Sequence, residues 1–195
     1  WAKTPFPATV CMSVNFEVCH GTPRGRTLKE GDIINYDLGV KYKSGCGDTA
    51  LTVAVGEIDN RKQRAMRYGL RALYEGIKVI KAGVPISAIG KAIETFAYRN
   101  VYNIIKEYSG HYIGKEMHMS PLIPHYYNPE YDNILLKEGD IICIEPMLTP
   151  GSGRTAVAIE DGWTVFTTDR QICVMYEHQI LVTKNGYEDL TPKLI

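Results

Sequence analysis

LKEGDIINYD, residues Leu28–Asp37, decides the fold, because the chain writes its first seven residues again at Leu136–Ile142, within LKEGDIICIE. The second copy starts 108 positions after the first, and that register carries Asp37 onto Glu145. Two readings compete. LKEGDII is either a common turn-into-strand phrase used twice, or the trace of an internal duplication with a carboxylate at one structural place in each half. Under the second reading, two half-domains that face one another bring Asp37 and Glu145 together, and clustered carboxylates are how proteins hold hard or borderline divalent cations.

From Ile33 the residues alternate. Ile34, Tyr36, Leu38 and Val40 form an apolar face, and Asn35, Asp37 and Gly39 the other, so Asp37 points away from the apolar side of the strand. A turn over Lys43–Gly47 and a second strand over Asp48–Val55 make a hairpin that sets Asp48 roughly across from Asp37, on the same face. Upstream, a strand over Thr9–Asn15 precedes a loop at Cys19-His20-Gly21. Downstream, Met66, Leu70, Leu73, Ile77 and Ile80 recur in steps of four and three, which predicts a helix over Asn60–Ala82 closed by Gly83 and Pro85. Ser87 is the expected N-cap of a second helix to about Asn100, with Ile89, Ile93 and Phe96 inward. Both helices are expected to cover the sheet. Ile104–His118 reads as a strand and a turn around Ser109-Gly110-His111, followed by a Pro- and Tyr-rich loop through Pro129. In the second copy Ile142 and Ile144 stand where Ile34 and Tyr36 stood, and strand-like stretches follow at Gly162–Thr168 and Cys173–Thr183. Copy two is preceded by two helices, whereas the 27 residues before copy one carry no helical period. The expectation is a domain over residues 1–195 that lacks an N-terminal helical segment, and its start at Trp1 suits a processed or incomplete product.

Bulk properties narrow the function. At 195 residues, with 45% apolar and 23% charged residues, one domain with a sizeable core is the default. The 22 basic residues cancel the 22 acidic ones, so the charge balance favours neither nucleic acid nor a membrane surface as a partner. Five cysteines, odd in number and without a C-x-x-C pair, suit reduced thiols in a cytosol-like compartment. No apolar run reaches a membrane-spanning length, and no signal-peptide pattern opens the chain.

The candidate metal ligands are Asp37, Asp48, His111, Glu145 and Glu177, at strand or strand-end positions. One His with four carboxylates is richer in oxygen than a structural zinc site, and thiolates are absent from this set. Four anionic groups can bridge two cations about 3.5 to 4 Å apart, an arrangement that acidifies a shared water and polarises a carbonyl. Taken singly, each acid is better explained as a solvated carboxylate, and His20 and His118 as loop residues. Pairing by repeat and by hairpin changes that balance.

These residues resemble a known signature. Asp37, Asp48 eleven positions on in a Gly-Asp-Thr context, Gly110-His111, Ile144-Glu145-Pro146-Met147 and Tyr176-Glu177-His178 resemble, in order and spacing, the five-ligand motif of the methionine aminopeptidases. FPATVCMSVNFEVCHGTP, residues 6–23, and Asp161-Gly162-Trp163-Thr164 are similar to the type I branch, and the likeness runs from Phe6 to Leu190. The resemblance implies the pita-bread fold, an α/β (α+β) architecture of two pseudo-two-fold related half-domains with a curved antiparallel sheet covered by helices. It implies that the five ligands bind two divalent ions (Co, Mn, Fe or Zn), with Asp48 and Glu177 bridging. Glu145 would then move a proton from water to the leaving amine. His118 would steady the scissile amide, and His20 would contact the substrate backbone. Phe6, Cys11, Met117 and Trp163 would line a pocket for an unbranched thioether side chain, two of them with sulfur. The function implied is removal of the initiator Met from nascent chains with a small second residue, by a cytoplasmic monomer, with the ribosome as the expected place of action. An Xaa-Pro-cleaving relative and a non-catalytic peptide-binding module are the alternatives. Four departures stand out: Tyr112 follows the ligand His in place of Gly, which would narrow the mouth of the site. Met117 replaces an aromatic residue, Gly39 replaces Thr, making Asp37-Leu38-Gly39 similar to type II enzymes and prolidases, and Cys46 replaces an aromatic residue or His.

Overall fold

LKEGD folds the same way twice in the computed structural model, which describes residues 5–23 and 25–191; Trp1 lies outside them. The Lys29 N–H donates to Asp32 Oδ2 at 2.9 Å, and the Lys137 N–H to Asp140 Oδ2 at 2.8 Å. Asp32 and Asp140 close their turns on the Lys29 and Lys137 carbonyls at 3.0 and 3.1 Å. The turns need φ of +91° at Gly31 and +92° at Gly139, a conformation open mainly to glycine. Each turn then docks on the end of a neighbouring strand: Gly31 and Asp32 exchange hydrogen bonds with Val55, and Gly139 and Asp140 with Val182. The repeated phrase is thus both a turn motif and the mark of a duplicated unit.

The first half is a three-stranded sheet of β1 (Cys11–Val14), β2 (Ile33–Tyr42) and β3 (Gly45–Ala54), in that order. β4 (Asn103–Ile104) precedes β5 (Gly110–Tyr112), β6 (Met119–Ile123), β7 (Ile141–Ile144), β8 (Met147–Thr149), β9 (Thr155–Val157), β10 (Val165–Thr167), β11 (Val174–Met175), β12 (His178–Val182) and β13 (Tyr187–Asp189). The five-stranded sheet runs β13-β12-β7-β5-β6, so its inner trio β5-β7-β12 repeats β1-β2-β3. All these pairings are antiparallel. The halves join where β3 meets β12: the Glu177 N–H donates to the Ala50 carbonyl at 2.8 Å, and the Asp48 N–H to Gln179 Oε1 at 3.1 Å. Smaller sheets, β11-β8-β4 and β9-β10, complete the set. This is the duplicated, helix-covered antiparallel architecture expected from the repeat.

α1 (Asn60–Ile77) and α2 (Ile86–Arg99) pack on each other and on the second half. Leu73, Ile77, Ile89 and Ile93 are fully buried against Ile142, Ile144 and Ile180 of the sheet. α1 ends five residues earlier than the apolar period suggests. Beyond Lys78 the Ile80 N–H turns back to the Ile77 carbonyl, and other elements take the Ala82 N–H (Thr183 carbonyl) and the Gly83 N–H (Leu136 carbonyl), which stops the helical ladder. Pro85, not Ser87, caps α2, because the Ile86 N–H is fixed on the Ile134 carbonyl and the helix starts two residues sooner. The hairpin register also differs in detail. Asp37 pairs with Ala50 and Asp48 with Gly39, so the two acids share a face diagonally rather than directly. Ile34 is buried, whereas Leu38, Val40 and Tyr42 on the same face are exposed, since β2 runs on past the body of the sheet. His111 lies within β5 rather than in a turn, and the Pro- and Tyr-rich stretch contains β6.

Candidate metal centre and substrate pocket

Strand alternation and cross-strand pairing gather the acids on one inner face. His111 on β5 pairs with Cys143 on β7, which pairs with Gln179 on β12. Glu145 lies two residues after Cys143 and Glu177 two before Gln179, spacings that share a face along a strand. A ligand atom from each of Asp48, His111, Cys143 and Glu177 lies within 4.8 Å of every other. His111 Nε2 is 3.5 Å from Glu145 Oε1 and 3.8 Å from Asp48 Oδ2. Asp37 approaches through β2, where its strongest charged neighbour is Asp48. The structure therefore brings together the expected ligands and adds Cys143. Cys143 is not among the expected ligands; it stands two residues before Glu145, a spacing that shares a face along a strand.

The electrostatics of this cluster call for a cation. Burial, reinforced by Asp48, pushes Asp37 up to about 7 from an ordinary 3.8. Burial, then Asp37 and Asp48, hold Glu145 well above the carboxylate range. Glu177 is raised by burial and then by Glu145, Asp48 and Asp37, with a hydrogen bond from Cys143 acting the other way. His111 cannot supply the missing positive charge, because burial lowers it to about 4. Among the described residues no Lys or Arg ion-pairs with any of the five. Glu177 Oε1 is buried without a hydrogen-bond partner, a cost of about 1–3 kcal/mol or more for a charged group unless something else binds it. An oxygen-rich donor set with one imidazole and an orphaned carboxylate oxygen fits divalent-metal use.

Supporting contacts fix these side chains. The Glu145 N–H donates to His125 Nε2 at 3.1 Å. His125 is fully buried, and desolvation holds it neutral, its pKa lowered to about 3. The sequence reading passed over His125, since its Pro- and Tyr-rich surroundings carry no periodicity. His111 Nδ1 lies 3.0 Å from the Tyr112 carbonyl, which orients Nε2 towards the acids. Tyr112 does not narrow the mouth: its ring packs on the main core, and its hydroxyl donates to Asp140 Oδ2 at 2.9 Å, within the second LKEGD turn. Gly39 and Met117 are complementary, because a Cβ at 39 would lie 2.8 Å from Met117 Cε and 3.6 Å from Asp48 Oδ1. Met117 thus fills the space beside Asp48 that a side chain at 39 would take. Cys46 is buried beside Ile113 and Cys143.

The Phe6 and Trp163 rings meet edge-on at 5.3 Å, with His20 at 6.0 Å from Trp163 and 5.7 Å from Tyr108. Cys11 pairs with Asp37 across β1 and β2, and burial followed by Asp37 and Asp48 pushes its thiol up to about 12. His118 is exposed, and its ring lies 4.5 Å from that of His111. His20 has φ of +52°, which a non-glycine residue holds only under outside constraint. That constraint comes from β1: Met12 N–H donates to the Gly21 carbonyl at 2.7 Å and Gly21 N–H to Ser13 Oγ at 3.1 Å. A Cβ at Gly21 would lie 2.3 Å from the Met12 carbonyl oxygen, so only glycine allows this approach. Asp161 then ties the loop to Trp163, accepting from Thr22 Oγ1 at 2.8 Å, from Thr164 Oγ1 at 2.5 Å, and from the Trp163 and Thr164 N–H groups at 3.0 Å each.

Comparison with known proteins agrees with this geometry. The model of metallopeptidase family M24 matches residues 2–184. The methionine aminopeptidase of Buchnera aphidicola subsp. Schizaphis graminum is 38% identical over 187 residues, covering 95% of this chain and 70% of the relative. The crystal structure of methionine aminopeptidase from Rickettsia prowazekii superposes with a TM-score of 0.92 at 36% identity, over 96% of this chain and 75% of that one. The prolidase from Pyrococcus furiosus shares the fold, with a TM-score of 0.77 at 23% identity over 100% of this chain and 51% of that one. With its duplicated halves, its inward row of acids and a family match over nearly its whole length, the chain belongs to metallopeptidase family M24.

Proposed function

We propose that the chain is a methionine aminopeptidase that removes the initiator methionine from peptides and nascent proteins with a small second residue. The observation that carries this reading is the buried Asp48, His111 and Glu177 cluster, whose ligand atoms lie within 4.8 Å of one another, with Glu145 3.5 Å from His111; the Phe6, His20 and Trp163 rings meet in one group, and Cys11 pairs with Asp37. Asp37, Asp48, His111, Glu145 and Glu177 would hold two divalent ions, drawn from Co, Mn, Fe or Zn. Bound there, the ions would acidify the attacking water and polarise the scissile carbonyl.

The chain's own residues do the rest. Glu145 accepts the proton of the attacking water and returns it to the leaving amine, held in place by His125 on its N–H. His118, exposed and beside His111, donates to the carbonyl oxygen as charge develops there. His20, held between Tyr108 and Trp163, contacts the substrate backbone. Phe6 and Trp163 provide flat walls for an unbranched side chain, and Cys11 and Met117 add polarizable sulfur at its end.

We assign this activity to one catalytic domain over residues 1–195, acting as a monomer on new chains at the ribosome in the cytoplasm. The five free cysteines suit a reducing compartment, and among the described residues no helix is long and apolar enough to cross a membrane. The test is hydrolysis of Met-Ala-Ser and of an Ala-Pro peptide across a divalent-metal series, with Glu145→Ala in parallel. Metal-dependent release of Met by the parent, and its loss in the variant, is the expected result. Cleavage of only the proline peptide points to the Xaa-Pro chemistry of the same fold, and full turnover by Glu145→Ala removes the assigned acid and base.

A further inference from the structure

Cys143 occupies the middle of the row that builds the centre. It pairs with His111 on one side and with Gln179 on the other, and its alternation places it on the same face as Glu145. Directly paired strand residues hold their Cβ atoms about 4.5–5.5 Å apart, which sets Cys143 beside the ligand imidazole by backbone geometry alone. Its sulfur belongs to the group whose ligand atoms all lie within 4.8 Å of one another, with Asp48, His111 and Glu177. Opposed ligands on one ion stand at most about 4.6 Å apart when sulfur binds at about 2.3 Å, so closing this set on a cation asks for small movements. A second observation lies in the same group: Glu177, only 2% exposed, takes a hydrogen bond from Cys143, yet its Oε1 has no hydrogen-bond partner. The Cys143 side chain has no solvent on any side and lies at the boundary between this polar cluster and the apolar group of Cys46 and Ile113.

We propose that Cys143 is a sixth, sulfur donor of the metal centre, which gives an otherwise oxygen-rich site a preference for thiophilic divalent ions such as Zn(II) or Co(II). The inference rests on the reading of this cluster as a metal centre and adds a donor to it. On binding, the thiol gives up its hydrogen bond to Glu177, the S–H bond breaks as the sulfur–metal bond forms, the proton leaves to bulk buffer, and no electron changes hands. Sulfur beside four carboxylates favours borderline and soft ions over Mn(II), which prefers oxygen alone.

The test is optical titration of the metal-stripped protein with Co(II). The expected result is visible ligand-field bands together with a near-ultraviolet sulfur-to-cobalt charge-transfer band. That band should persist in Cys46→Ser and disappear in Cys143→Ser, whose visible bands remain. Visible bands without the charge-transfer band in the parent protein overturn the proposal while leaving the carboxylate centre standing, and so does a band that survives Cys143→Ser. Absence of all Co(II) bands overturns both readings. Should Cys143→Ser fail to fold, zinc-edge X-ray absorption on the parent decides the matter: a sulfur shell at about 2.3 Å is required, and a shell of nitrogen and oxygen alone rejects the assignment.

Discussion

The two LKEGDII copies share a turn down to the same side-chain hydrogen bond and nearly the same glycine φ, yet their strands meet different surroundings. β2 lies between β1 and β3 and runs on to Tyr42, with Leu38, Val40 and Tyr42 exposed. β7 lies between β12 and β5 and stops at Ile144, where three of its four residues are buried. Duplication therefore fixed where each half puts its first acid, Asp37 and Glu145, and packing then set each acid apart. The second pair breaks the symmetry. Docking of the turns on Val55 and Val182 makes Ala50 the counterpart of Glu177, so Asp48 stands two residues further along its strand. Both positions still face inward, because a two-residue step preserves the face.

The largest effect should come from erasing what distinguishes the acids within that frame. Glu145 is the longer side chain, its N–H held by His125, and it alone is assigned proton transfer. Glu145→Asp keeps the charge but withdraws the carboxyl by one methylene. A misplacement of about 1 Å costs roughly 10²-fold in rate, so kcat for Met-Ala-Ser should fall by about that factor with the metal retained. Asp37→Glu should instead act mainly on metal affinity, read by isothermal titration. Equal kcat losses from the two exchanges would show that the copies are functionally equivalent.

Stripping the metal should expose what the halves impose on each other. Asp37 is raised from 3.8 to about 7, and Asp48, Glu145 and Glu177 move in the same direction. The folded state then binds protons that the unfolded chain has released, so the stability they contribute is complete below about pH 4 and is lost as pH rises through 7. The Tm of the stripped protein should fall between pH 5 and pH 8, and an added divalent ion should flatten the profile. A stripped protein whose Tm rises over that range would contradict the burial of these acids against one another.

A smaller effect concerns the seam between the halves. Asp161, in the second half, holds Thr22 beside His20 of the first and fixes Trp163. Loss of this clamp in Asp161→Ala should raise KM for Met-Ala-Ser by about tenfold, the equivalent of one or two hydrogen bonds, with kcat changed less. A fall in kcat at constant KM would move Asp161 from holding the pocket to supporting the reaction itself.

What could be read in advance followed from periodicity. Asp37 and Asp48 lie on strands whose alternation shows in the residues, Glu145 and Glu177 adjoin strand ends, and the repeat supplied the long-range pairing that no local pattern contains. Cys143 reads in the sequence as one of five scattered thiols because cysteine carries no sign of its own role, although the Cys143-Ile144-Glu145 spacing puts it on the face of Glu145. His125 lay in a stretch without period. β8, β9 and β13, at three residues each, are shorter than any alternation can establish. The end of α1 was set by carbonyls of Leu136 and Thr183, more than fifty residues away in the chain.

The glycines of the twin turns give the finest test of equivalence. Gly31 and Gly139 have φ of +91° and +92°, and a Cβ at either would meet nothing closer than the Glu57 carbonyl oxygen at 3.9 Å. Space is therefore not limiting at either site, and the cost of alanine is backbone strain alone, about 1–2 kcal/mol for an L-residue forced to positive φ. Gly31→Ala and Gly139→Ala should each lower unfolding free energy by about that amount in urea, with unchanged m-values and with Met-Ala-Ser turnover preserved. If Gly139→Ala costs far more than Gly31→Ala, the second turn bears load that the first does not, through Tyr112 on Asp140 and the buried sheet behind it. Equal costs would establish that the duplicated element kept its energetics as well as its shape while the strands beyond it diverged.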